Sequence, residues 1–229
     1  MKNPGLRYIG GALIVLVGIW AGLKSHSVHR VAEPVVAVPA GVASAPDPQE
    51  NSAPEAPPRP VVPARLPDFA LSDLSGKPTS IAAWGGRSLV INFWATWCAP
   101  CRREIPLLKT LAADWAGHDL TVVGIAVDHA DKVRQFAGQF KIDYPILIGE
   151  QDALDVAAKF GMESPALPFT VFTDRRGEVV ALFVGELHRP QADFILAEVQ
   201  NLNQQRIALP EARRAITDGL EAMAGKNAG

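Results

Sequence analysis

The sequence predicts an α/β layered domain, a mixed central sheet flanked by helices, placed after an N-terminal apolar segment and a proline-rich stretch. Three observations predict it. Continuous apolar runs of strand length alternate with segments of helical period, which calls for a sheet with helices on its faces. The last two strand-like runs flank a tight turn, so a closing hairpin makes an otherwise parallel sheet mixed. No period of roughly 20–50 residues repeats, which excludes a solenoid.

The elements follow in order. Residues 68–71 and 79–81 read as a small leading hairpin around a turn at 73–77. Residues 88–95 form an unbroken apolar run, suited to a central strand buried on both faces. Ile105, Leu108, Ala112 and Trp115 then recur at helical spacing. Residues 120–127 read as a second buried strand, and 131–141 as a helix with Val133, Phe136 and Phe140 on one side. A short strand at 144–148 and a helix at 152–160 follow. Residues 169–172 and 178–184 flank the turn Asp174, Arg175, Arg176, Gly177 as an antiparallel hairpin. Helices at about 190–205 and 210–224 end the chain.

Composition divides the chain before any fold is considered. Residues 8–23 hold no charge, and 16 residues span roughly 24 Å as a helix, a little short of a ~30 Å hydrocarbon core. Snorkelling by Arg7 and Lys24, with Tyr8 and Trp20 at the interfaces, closes the gap. A cleaved signal peptide is the rival, since Lys2 and Arg7 supply a positive start, but no small-x-small site follows directly. With no cysteine near the segment, lipoprotein processing is excluded. An uncleaved transmembrane anchor over residues 1–30 is therefore expected, N-terminus inside, because long C-terminal domains cross largely regardless of charge. Residues 31–65 read as a linker: ten prolines between 33 and 67 leave no hydrophobic period, so an extended spacer is expected. The globular domain is placed at 66–206 and a helical extension at 207–229. Apolar residues make up 48%, enough for a normal core, and a net charge of −2 argues against nucleic acid as a partner.

The chemistry is expected at the only two cysteines, Cys98 and Cys101. Closing so short a loop removes little unfolded-chain entropy, so a structural role gains little. Two cysteines cannot complete a four-ligand zinc site alone, and no metal is expected there. The pair lies where a strand ends and a helix begins, so Cys98 falls near the helix N-cap, where free N–H groups and the macrodipole favour an anion. That lowers a thiol pKa and makes the thiolate a nucleophile at neutral pH. Pro100 is tolerated in a first helical turn. Cys98 is the expected attacking thiol, and Cys101, one turn on and more buried, the resolving one.

Residues 92–106, from Asn92 through Trp97, Cys98, Ala99, Pro100, Cys101 and Glu104 to Pro106, resemble the active-site stretch of the thioredoxin superfamily. The stretch is most similar to the membrane-tethered TlpA/ResA-type thiol reductases, and the resemblance covers roughly residues 65–200. It implies a thioredoxin-like fold, with Pro106 at the proline that kinks the family's active-site helix. It also implies that Leu167-Pro168 is the family's cis-proline, bringing a backbone edge beside the cysteines to pair with substrate. An ordinary trans proline opening a strand is the alternative. Trp97, Pro100 and Leu167 are the substrate-contacting residues the resemblance implies. Thioredoxin has a buried aspartate where this sequence has Asn92, which leaves Glu104 as candidate proton acceptor for a buried thiol. A solvent-facing helix glutamate is the competing reading. His118, His129 and His188 are expected at the surface.

The resemblance implies no cofactor beyond a redox-active Cys98–Cys101 disulfide. Ala99-Pro100 between the cysteines points to a reductase of protein disulfides. Its partners would be proteins carrying cysteine pairs and a membrane electron donor of the DsbD type. The clients implied are apocytochrome c haem-binding cysteines or copper-site cysteines in cytochrome oxidase assembly. The location implied is a bacterial inner membrane, single-pass, with the catalytic domain in the periplasm. A disulfide oxidant or isomerase, and a Cu(I)-delivery module using the same cysteines, are the alternatives. A peroxidase of the peroxiredoxin class is disfavoured, because Ile91 and Ala95 stand where it needs proline and threonine or serine, respectively.

Overall fold

The computed structural model describes residues 62–226 other than His118. They form one seven-stranded sheet in the order β2-β1-β5-β4-β3-β6-β7. The strands are β1 (Ala70–Asp73), β2 (Pro78–Ser80), β3 (Ser88–Trp94), β4 (Leu120–Val127), β5 (Ile146–Gly149), β6 (Phe169–Thr173) and β7 (Val179–Val184). The helices are α1 (Ala99–Asp114), α2 (Ala130–Phe140), α3 (Gln151–Ala158), α4 (Arg189–Asn203) and α5 (Leu209–Lys226). β3, β4 and β5 are parallel, and β1, β6 and β7 join antiparallel, so the sheet is mixed as the closing hairpin requires. This is the expected thioredoxin-like arrangement.

β3 is central and wholly buried, which explains why all but Ser88 and Asn92 of it are apolar. Its side chains alternate between two cores. Ile91 and Phe93 enter one with α3, Phe160 and Phe169. Val90 and Trp94 enter the other, with α1, α2, α4 and α5. The leading hairpin is shorter than the sequence suggests: Ile81 leaves the strand for a 3-10 turn, Ile81–Trp84, capped by the Ser80 hydroxyl on the Ala82 N–H.

The ends of the domain also differ from the expected boundaries. Residues 64–66, assigned partly to the linker, already pair with the last hairpin: Val179 N–H donates to Ala64 C=O, and Leu66 N–H to Gly177 C=O. α5 belongs to the main core through buried Ala212 and Ile216. It lies against α4 so closely that a Cβ on Gly219 would stand 2.3 Å from the Phe194 ring. Among the described residues no helix is long and apolar enough to cross a membrane; the anchor expected at 8–23 lies outside them. His118 lies outside them too, and His129 and His188 are exposed.

Candidate active site

Cys98 is the N-cap of α1, and its sulfur is bonded to Cys101 in a disulfide, with Cα atoms 5.3 Å apart. Cys101 N–H points at Cys98 Sγ, 3.3 Å away. With no acid in the first turn of α1, nothing on the helix offsets the positive end that faces Cys98. When the bond is reduced, that setting favours a thiolate at Cys98 over Cys101. Burial separates the two sulfurs as well: Cys101 is fully buried, whereas Cys98 keeps 5% exposure. Pro100 occupies the first turn, where its missing N–H costs nothing, and Pro106 sits within the helix.

The segment ahead of the cysteines is anchored from β4. Thr96 donates both its hydroxyl and its N–H to the Asp128 carboxylate at the end of that strand. Burial pushes the Asp128 carboxyl up, but the Thr96 and His129 contacts and Lys132 outweigh it and hold the group below the usual range. This pins the turn that presents Trp97, whose side chain is 68% exposed. Trp97 therefore presents a large apolar face at the surface rather than filling a core. On the other side, Leu167-Pro168 is a cis peptide, with Pro168 buried and Leu167 partly so. Gly185 N–H donates to Pro168 C=O at 2.9 Å.

Glu104 is 2% exposed, so of the two readings of this residue the solvent-facing one is overturned. It lies one turn beyond Cys101, on the helix face shared with Ile105 and Leu108. Its Oε1 accepts from Asn92 Nδ2 at 2.8 Å and its Oε2 from Leu187 N–H at 2.8 Å. Asn92 Nδ2 also reaches Thr170 Oγ1 on β6. Burial pushes the Glu104 carboxyl up and outweighs these two donors, and Glu186 adds to the rise, leaving a pKa of about 7. Asn92, where thioredoxin carries an acid, is thus a donor that holds the acid standing on the next helix.

Sequence reasoning missed three members of this site. Thr170 lies in a strand that reads simply as apolar and Asp128 just past the end of another, and only the register of β3 with β6 and β4 brings them to the cysteine segment. Leu187 acts through its backbone N–H, which no residue type signals. For Glu104 a signal existed: positions 101, 104, 105 and 108 fall on one helical stripe.

Comparison with known proteins agrees with this geometry. A family model described as Redoxin matches residues 62–201. The thioredoxin-like protein YneN of Bacillus subtilis (strain 168) is 34% identical over 56% of this chain and 75% of its own length. The thiol-disulfide oxidoreductase ResA of Geobacillus kaustophilus is 30% identical over 58% of this chain and 75% of its own. Among solved structures, a thiol:disulfide interchange protein of the thioredoxin family from Chlorobium tepidum superposes with a TM-score of 0.54 at 29% identity. The match covers 63% of this chain and 99% of that one. The chain belongs to the Redoxin family, and within the thioredoxin superfamily it is a TlpA/ResA-type thiol–disulfide oxidoreductase.

Proposed function

We propose that this Redoxin-family chain is an extracytoplasmic reductase of protein disulfides, tethered by residues 8–23 to a bacterial inner membrane. The observation that carries the exchange mechanism is the unequal setting of the two sulfurs: Cys98 at the helix N-cap, Cys101 fully buried one turn before Glu104. In the reduced enzyme the Cys98 thiolate attacks one sulfur of a client disulfide and expels the other as a thiolate. A mixed disulfide results. Cys101 then gives its proton to Glu104 and attacks Cys98 Sγ, releasing the second client thiolate and leaving the Cys98–Cys101 disulfide. Two electrons have passed to the client, and a membrane dithiol donor of the DsbD type returns them.

The client chain would pair with the backbone at Leu167, beside the cis Pro168, with Trp97 and Pro100 covering it from the helix side. This reading is supported by the exposure of Trp97 and by the tie between Pro168 and Gly185. Cysteine pairs of apocytochrome c or of an oxidase copper site are the clients proposed, by likeness to the TlpA/ResA type. The test is the equilibrium reduction potential of the full chain in glutathione or dithiothreitol buffers. A value near −270 mV, as in thioredoxin, supports a reductase, whereas one near −120 mV, as in DsbA, overturns that direction.

A further inference from the structure

Two consecutive residues of α1 hold two consecutive residues of the segment between β7 and α4. Arg103 forks onto Glu186: Nε lies 3.1 and 2.9 Å from its two carboxylate oxygens and Nη2 lies 2.5 Å from Oε2. Beside it, Leu187 N–H lies on Glu104 Oε2. One residue earlier, Gly185 N–H lies on Pro168 C=O. Gly185 has a φ of 106°, which L side chains rarely adopt, and this turns the chain out of β7 into the contacts that follow. Three successive residues therefore reach the cis-proline, the Arg103 ion pair and the buried carboxylate.

We infer that Arg103 and Glu186 are positioning residues of the exchange reaction. Their ion pair latches residues 185–187 onto α1, keeps the Leu187 N–H on Glu104 and neutralises the charge of Glu186 beside it. The inference rests on the reading of Glu104 as the proton acceptor of Cys101. A role in bulk stability is the weaker account. The Arg103 side chain is 60% exposed, and pairs of that kind contribute little to folding. Geometry is what a forked guanidinium–carboxylate contact supplies.

The groups facing Glu104 bear this out. α1 brings Arg103 and the cysteine pair, β3 brings Asn92, and β6 brings Thr170, none of them an acid. The segment before β5 brings Tyr144, whose burial and whose neighbours Glu104 and Asp143 push its phenol up, so it stays neutral. The segment after β7 brings Glu186, with His188 near it. Glu186 is thus the negative charge that acts directly on Glu104, and Arg103 is its partner.

The test is the pH profile of insulin-disulfide reduction by the full chain, for wild type and for Arg103→Gln, Glu186→Gln, Glu104→Gln and the charge swap Arg103→Glu/Glu186→Arg. With Arg103→Gln, Glu186 is left uncompensated, and the midpoint moves to higher pH by about half a unit. Glu186→Gln frees the same segment but removes the charge, so its midpoint rises less than that of Arg103→Gln, and the charge swap brings it back. In a Glu104→Gln background, Arg103→Gln shifts nothing. An unmoved midpoint in Arg103→Gln, or the same shift with and without Glu104, overturns the inference. If Glu104→Gln alone reproduces the wild-type profile, the underlying reading of Glu104 falls instead, whatever Arg103 does.

Discussion

The two faces of the sheet are built from the same strand to opposite ends. On the face covered by α3, Ile91 and Phe93 of β3 pack into a hydrophobic cluster with Phe160, Phe169 and Val171. The Phe93 ring stacks on Phe169 with centroids 4.2 Å apart and meets Phe160 edge-on at 5.8 Å. On the face covered by α1, the intervening position is Asn92, hydrogen-bonded to Glu104 and Thr170, and the cysteines are buried on the same face. Trp94 Nε1 and Tyr144 Oη, also buried on this side, have no hydrogen-bond partner among the described residues. One face supplies stability by dry packing, while the other carries groups whose burial costs free energy. A chain keeps such groups where a buried proton has work to do.

Substitutions can break this contrast, and the largest effect belongs to the cysteines. Cys98→Ser is expected to lower insulin-disulfide reduction to the uncatalysed background while leaving the fold in place, as circular dichroism would verify. Next comes the dry face. Phe93→Ala is expected to cost about 3–5 kcal/mol in urea unfolding, from lost burial and the cavity left behind. The pH profile of whatever remains folded should not move.

Glu104→Gln should behave in the opposite way. With the folded pKa near 7 and the ordinary value at 4.5, the folded chain holds the proton where the unfolded chain has released it. The contribution of Glu104 to stability is therefore greatest in acid and falls as pH rises through that window, by about 3 kcal/mol in all. Glu104→Gln should lack this fall, so its stability relative to wild type should improve between pH 4.5 and 8; parallel unfolding curves would contradict the account.

How much of this was legible in the sequence differs between the faces as well. The apolar runs at 88–95 and 120–127 and the hairpin around Gly177 announce themselves, because period and turn chemistry are local. The cysteine pair at a strand–helix junction is local too. What was not legible is non-local: that Glu104 is buried depends on where residues 185–187 return, and Asp128 reaches Thr96 only through strand register. Ile81 reads as the end of a strand but is drawn into a turn by the Ser80 cap.

Smaller effects sharpen the comparison. Gly124 lies opposite Asn92, and a Cβ there would stand 2.9 Å from Trp94 Nε1 and 3.2 Å from the Tyr144 ring. Gly124→Ala should cost about 1–3 kcal/mol by overpacking, read as a lowered denaturation midpoint. Trp97→Ala should change stability by less than about 0.5 kcal/mol, since its side chain is exposed, and should instead raise KM for protein disulfides.

The unequal use of the two sulfurs is tested most directly by trapping. Reduced Cys101→Ser should accumulate a mixed disulfide with a client through Cys98, visible on a non-reducing gel and reversed by dithiothreitol. Trapping by Cys98→Ser, with none by Cys101→Ser, would contradict the assignment and place the attacking thiolate on the buried cysteine.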